Sequence, residues 1–266
     1  GLTVIGGGVL VSGLPTVDAN TLPVGPGSGT VLVDSNRIQG NQAGAGDGGG
    51  IALRSTNNDL ITITNNVIVN NVTGLAGGGI SLQDAANVNI SNNTIAMNDS
   101  TATASLAFPQ GFAAPSENQP AGIVSRANTP ALNSQPGIVD GFSNPNPFAG
   151  NIIWQNRTFT WDPAPIAPAL PALVPDVTTA PAVYWDLGVL GDAGQMSPTT
   201  SVLTSLVGFD SVNYAGNGNN TDDPLLVGAY FNGTRGTPNV NEITAIATAV
   251  AADEGGNAID VAFGPL

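Results

Sequence analysis

The sequence predicts an all-β chain wound into a parallel β-helix, with three short strands per coil and long inserted loops. Three observations predict it. A block built on an Asn pair recurs along the chain, a second block led by glycines precedes each copy, and the composition suits a chain that turns often. Internal repeats of this length are the signature of a solenoid, in which no unit buries its apolar face alone.

The first repeat reads Leu60-Ile61-Thr62-Ile63-Thr64-Asn65-Asn66-Val67-Ile68-Val69-Asn70-Asn71, and returns as Val88-Asn89-Ile90-Ser91-Asn92-Asn93-Thr94-Ile95-Ala96-Met97-Asn98. Upstream, Val31-Leu32-Val33-Asp34-Ser35-Asn36-Arg37-Ile38-Gln39-Gly40-Asn41 shares the frame. Asn36, Asn66 and Asn93 are spaced by 30 and 27 residues, as are Ile38, Ile68 and Ile95, and Asn41, Asn71 and Asn98. Alternation puts Ile61 and Ile63 on one face and Thr62 and Thr64 on the other. Val31 and Val33, then Val88 and Ile90, fill the same inward positions. Asn tolerates a positive φ better than other non-Gly residues, so Asn36, Asn66 and Asn93 are expected at sharp turns, their amides stacked into a ladder.

The glycine-led blocks are Gly6-Gly7-Gly8-Val9-Leu10-Val11, Gly48-Gly49-Gly50-Ile51-Ala52-Leu53 and Gly77-Gly78-Gly79-Ile80-Ser81-Leu82, with Ala121-Gly122-Ile123-Val124 a weaker fourth. Each coil thus carries one strand after the glycines, one before the Asn pair and one after it. Asn93 to Asn151 and Ile95 to Ile153 are both 58 residues apart. This reads as one coil enlarged by loops near 99–120 and 141–150, although two coils would also fit. A Pro/Ala-rich excursion follows at 162–182. Ala182–Leu187, Ser201–Thr204 and Asp223–Val227 then look like the strands of a further coil. The β-helix is expected over 1–240, with 241–266 supplying further strands, a terminal coil or the start of another module.

Composition sets limits on chemistry. The chain has 19 acidic residues against five Arg, no Lys, no His and no Cys, for a net charge of −14. Such a charge repels nucleic acid, and no segment is apolar for long enough to enter a membrane as a helix. Missing His removes the commonest general base and transition-metal ligand, missing Lys removes Schiff-base chemistry, and missing Cys removes thiolate chemistry and disulfides. These absences point away from most enzymes. Gly1-Leu2-Thr3 reads like the inside of a longer chain.

The repeat resembles right-handed parallel β-helix proteins, the superfamily whose enzymes include pectate lyases and polygalacturonases. Asn151-Ile152-Ile153-Trp154-Gln155-Asn156 and Asp223-Pro224-Leu225-Leu226-Val227 are similar to segments of its non-enzymatic bacterial surface members. The resemblance covers roughly residues 6–230 and implies the fold and a secreted, bacterial, extracellular or cell-surface setting. Polygalacturonase-like members carry Gly-His-Gly and Arg-Ile-Lys motifs that this chain lacks. Asn220-Thr221-Asp222-Asp223 resembles their acidic elements only in a Gly/Asn-rich turn.

Pectate lyase-like members work through Arg and Asp-bound Ca²⁺. If Val9, Ile51 and Ile80 point inward, then Ser12, Arg54, Gln83 and Arg126 stack outward on successive coils. Arg54, Gln83 and Arg126 are therefore candidates for gripping an anionic sugar, or long polar chains that solvate an open sheet. Asp47, Asp222 and Asp223 are candidate Ca²⁺ ligands, since a hard cation needs only carboxylate and carbonyl oxygens, or else turn residues. No other cofactor is expected. Trp154, Trp161 and Trp185 are either sugar platforms or pins for inserted loops.

The reading that follows is a non-catalytic extracellular scaffold, adhesin-like or filament-forming. The alternative is a carbohydrate-binding or lyase-like β-helix acting on anionic polysaccharide. Asn36, Asn66, Asn93 and Asn151, with Ile38, Ile68, Ile95 and Ile153, form its structural ladders. Expected partners are further copies stacked end to end, other cell-surface components or polysaccharide.

Overall fold

A computed structural model describes residues 6–14, 25–164, 172–175, 184–209 and 211–226. The first coil holds β1 (Val9–Ser12), β2 (Val31–Asp34), β3 (Arg37–Gln39) and β4 (Gln42–Ala43). The second holds β5 (Ile51–Asn57), β6 (Ile61–Thr64), β7 (Val67–Val69) and β8 (Val72–Thr73). The third holds β9 (Ile80–Ala85), β10 (Val88–Ser91), β11 (Thr94–Ala96) and β12 (Asp99–Ser100). The fourth holds β13 (Ile123–Arg126), β14 (Phe148–Ala149), β15 (Ile152–Trp154) and β16 (Arg157–Asp162). β17 (Ala172–Pro175), β18 (Leu187–Leu190) and β19 (Val202–Leu203) follow.

Strands of equal rank pair across coils, giving sheets β1-β5-β9-β13-β18, β2-β6-β10-β14, β3-β7-β11-β15-β19 and β4-β8-β12-β16-β17. All pairings are parallel except β16–β17. The coil therefore has four strands, not the expected three. The fourth escapes periodicity analysis because it is only two residues long in the first three coils.

The register is the one the repeat demands. Ile38, Ile68, Ile95 and Ile153 are direct neighbours across coils, followed by Leu203, and all are buried. Val33, Ile63, Ile90 and Phe148 form a second buried row, and Ile51, Ile80, Ile123 and Leu187 a third. These rows make one continuous core. Each aliphatic side chain so buried contributes about 1.5–3 kcal/mol. Because Ile95 pairs with Ile153, the 58-residue gap is one coil.

Its insertions are placed differently from expectation. The first begins after β12 and carries a single turn of 3-10 helix, Ser105–Ala107. The second runs between β13 and β14 and includes the short helix α1 (Pro130–Asn133), so Phe148 and Ala149 belong to the sheet rather than to the loop. In the last coil the strand starts at Leu187, where the expected segment ends, and 223–226 is in no strand. Residues 182–183, 227, most of 165–182 and all of 241–266 lie outside the described residues.

Two turns per coil are built alike, and here too the sequence reading shifts by one residue. The left-handed positions are Ser35, Asn65, Asn92 and Gly150 at one corner, and Gly40, Asn70, Met97 and Gln155 at the next. Each immediately precedes a ladder Asn, whose side chain is thereby turned toward the interior. The glycine triplets answer to the same turn. A Cβ on Gly50 would lie 2.7 Å from Ile68 Cγ2 and 3.0 Å from Asn71 Nδ2, so only glycine lets the chain pass the ladder.

The two ends differ. Before the first coil, Gly8, Val9, Val33, Ile38 and Asn41 line an open recess of about 440 Å³. After the last, the chain reverses between Leu206 and Tyr214 and packs Val212 and Tyr214 onto the core.

Candidate functional site

Many buried polar side chains of the coils are committed to one another. Asn36, Asn66, Asn93 and Asn151 form a ladder in which each donates its backbone N–H and its Nδ2 to the next residue's Oδ1, at 2.9–3.1 Å. Ser201 takes the following rung, accepting from Asn151 N–H. A second ladder, Asn41, Asn71, Asn98 and Asn156, runs parallel to it with the same geometry. Nδ2 also donates to main-chain carbonyls, as from Asn66 to Val33 and Thr64. The repeat spacing showed both rows, but not that the second ends in a different residue, Asp186.

Asp186 Oδ1 accepts from the N–H and Nδ2 of Asn156, and its Oδ2 accepts from Thr204 N–H at 2.9 Å. Burial pushes this carboxyl above its ordinary value of 3.8, outweighing the hydrogen bonds from Asn156 and Thr204 that act the other way. An acceptor-only group suits the last rung, since it faces donors on both sides.

Ionic groups are used similarly. Arg157 donates from Nε and Nη2 to the two oxygens of Asp99, at 2.9 and 2.6 Å, and both side chains are buried. The Arg157 guanidinium also lies 5.2 Å from the centre of the Phe159 ring. This pair joins neighbouring coils at register partners of the fourth sheet.

On the outer face of the first sheet, Ser12 pairs with Arg54 and Arg54 with Gln83, as the repeat implied. The structure then separates the three candidates. Arg126 reaches back to Asp47, Nε to Oδ2 at 2.6 Å and Nη2 to Oδ1 at 2.9 Å, so its guanidinium is occupied by the turn that precedes β5. Asp47 Oδ1 also accepts from Ala76 N–H. Asp47 is thus a clasp between coils. Arg54 and Gln83 are half-buried, and Arg54 makes no ion pair among the described residues.

The face is less open than the sequence suggested. Val124, Leu75 and Phe108 form an apolar cluster over its middle, with Trp161 packed against it. Trp185 stacks on Phe209 at 4.3 Å. Trp154 packs on a third cluster with Val69 and Ala96.

Asp222 and Asp223 are exposed and form no metal-holding group with other acids among the described residues; Asp223 Oδ1 accepts from Leu225 N–H within its own turn. Among the described residues, no three His, Cys, Asp or Glu side chains are placed to hold a metal ion. No helix among them is long and apolar enough to cross a membrane.

Residues 16–108 match the family model described as periplasmic copper-binding protein (NosD). Together with the stacked parallel sheets, the match decides the architecture. The chain is a parallel β-helix repeat protein. Neither a curated protein nor a solved structure matches it.

The family's description raises copper, and the donors of this β-helix do not fit that metal. Copper sites use imidazole, thiolate and thioether ligands. This sequence has no His and no Cys. Its two methionines are buried in different clusters, Met97 against Val69 and Ala96, and Met196 in the main core.

Proposed function

We propose that the chain is a non-catalytic β-helix working outside the cytoplasm, as a scaffold or adhesin-like surface segment. The observation that carries this reading is how its chemistry-bearing side chains are used. The eight Asn of the two ladders, with Asp99, Asp186, Arg126 and Arg157, are committed to rungs and clasps, which leaves no acid–base pair facing a cleft among the described residues. The absence of His, Lys and Cys from the whole sequence supports it further. The compartment rests on the periplasmic description of the matching family and on the acidic composition. An assay on pectate, alginate and neutral polysaccharides, with and without Ca²⁺, tests it. Neither unsaturated, ultraviolet-absorbing product nor new reducing ends should accumulate; either would replace this reading with an enzymatic one.

A second reading, binding of an anionic polysaccharide, is favoured by one observation. Arg54 is half-buried beside Gln83, with no carboxylate paired to it among the described residues. On this reading Arg54→Ala abolishes retention on a polyuronate column at low salt, while Arg126→Ala, whose guanidinium is already held by Asp47, leaves retention in place.

A further inference from the structure

Three segments converge at the corner where the first sheet passes into the second. Ala85 N–H donates to Ser143 Oγ at 3.0 Å, Thr129 N–H donates to Asp84 Oδ1 at 2.7 Å, and Ser125 Oγ donates to Ser143 O at 2.7 Å. Residues 84–85, 128–129 and 143–144 therefore meet in one place, although they lie far apart in the chain. Asp84 occupies a left-handed turn position and is 7 % exposed. Among the described residues, Thr129 N–H is the one donor to its side chain and no Arg pairs with it.

Two amide oxygens at the same corner are orphaned. Asn128 is 7 % exposed, and its Nδ2 donates to Asp140 O and to Asn133 Oδ1. Both partners are acceptors, which fixes the orientation of the amide and leaves Oδ1 buried without a donor. Asn144 is fixed in the same way, Nδ2 donating to Asp140 Oδ2 at 3.1 Å, and its Oδ1 is likewise buried and unpartnered. A buried acceptor left unpaired costs about 1–3 kcal/mol.

We infer that this corner binds a hard divalent cation of the Ca²⁺ class, held by the Asp84 carboxylate with Asn128 Oδ1 and Asn144 Oδ1. All three groups are oxygen acceptors awaiting positive charge, which is the ligand set of calcium rather than of copper. Asp140, bridged to both amides, adds a second carboxylate at the rim. The site depends on amide oxygens, which is why no triad of acids marks it. It is separate from the Asp47 and Asp222–Asp223 positions that sequence reasoning selected, and it stands independently of the scaffold reading.

The test is Ca²⁺ titration of the chelator-stripped protein by calorimetry, with the thermal midpoint recorded in Ca²⁺ and in chelator. The wild type should bind one ion and unfold at a higher temperature when loaded. Asp84→Asn keeps an oxygen for Thr129 N–H and should weaken binding about ten- to a hundredfold. Asn128→Asp should tighten it, and Asp223→Asn should change nothing. No binding at millimolar Ca²⁺, with the orphan oxygens satisfied by water alone, overturns the inference. So does binding that survives Asp84→Asn and is lost in Asp223→Asn.

Discussion

Asn66 gives both its backbone N–H and its Nδ2 to a single oxygen, Asn93 Oδ1, at 2.9 and 3.0 Å. The same Nδ2 also donates to the Val33 and Thr64 carbonyls. One side chain therefore serves three coils. Asn66→Ala should cost at least about 2 kcal/mol, since buried partners on both sides are left unpaired. Asn66→Asp should cost more, because a carboxylate has no hydrogen to offer Val33, Thr64 or Asn93. Urea denaturation gives both values; an Asp variant as stable as the wild type would show that the ladder is not structural.

The Ile row provides an apolar counterpart. Ile68 is fully buried between Ile38 and Ile95. Ile68→Ala should destabilise by about 2–5 kcal/mol. In the same denaturation assay, Thr62→Ala, on the outer face of the adjoining strand, should change little.

The buried pair should behave asymmetrically. Arg157→Met strands the Asp99 carboxylate in the interior and should cost about 3–5 kcal/mol. The double variant Arg157→Met with Asp99→Leu should recover much of that loss. A double-mutant cycle read by denaturant midpoints checks it, and full additivity would contradict the pairing.

Asp186 gives the protein a predictable pH response. Its folded-state pKa is raised, so the native chain holds the proton more tightly than the unfolded chain does. The group penalises folding least below its ordinary value of 3.8, and the penalty grows as pH rises through the higher folded value. In that window Asp186→Asn should show a shallower loss of stability with rising pH than the wild type. Equal slopes would place the carboxyl in a solvated environment.

The legible and illegible parts of this molecule divide on physical grounds. Val/Ile alternation and the Asn pairs report burial and turning locally, so the apolar rows could be read directly. Which Asn of a pair adopts the left-handed conformation could not be read, because Asn65 and Asn66 have the same intrinsic freedom and only the inward ladder distinguishes them. Asp186 was hidden by its residue type and by the Pro-rich excursion between it and Asn156. The Arg126–Asp47 clasp joins residues 79 apart, across an intervening coil, a relationship that no local pattern encodes. The Asp84, Asn128 and Asn144 corner was hidden for the same reason, with only Asp84 standing near a candidate row.

The first coils of this β-helix match a family described as copper-binding, yet the chain has neither His nor Cys to hold that metal. Titration with Cu(I) and Cu(II), followed by gel filtration and metal analysis of the protein peak, tests that most directly. The donor set predicts a peak free of stoichiometric copper in either oxidation state. One copper ion per chain retained through the column would contradict it.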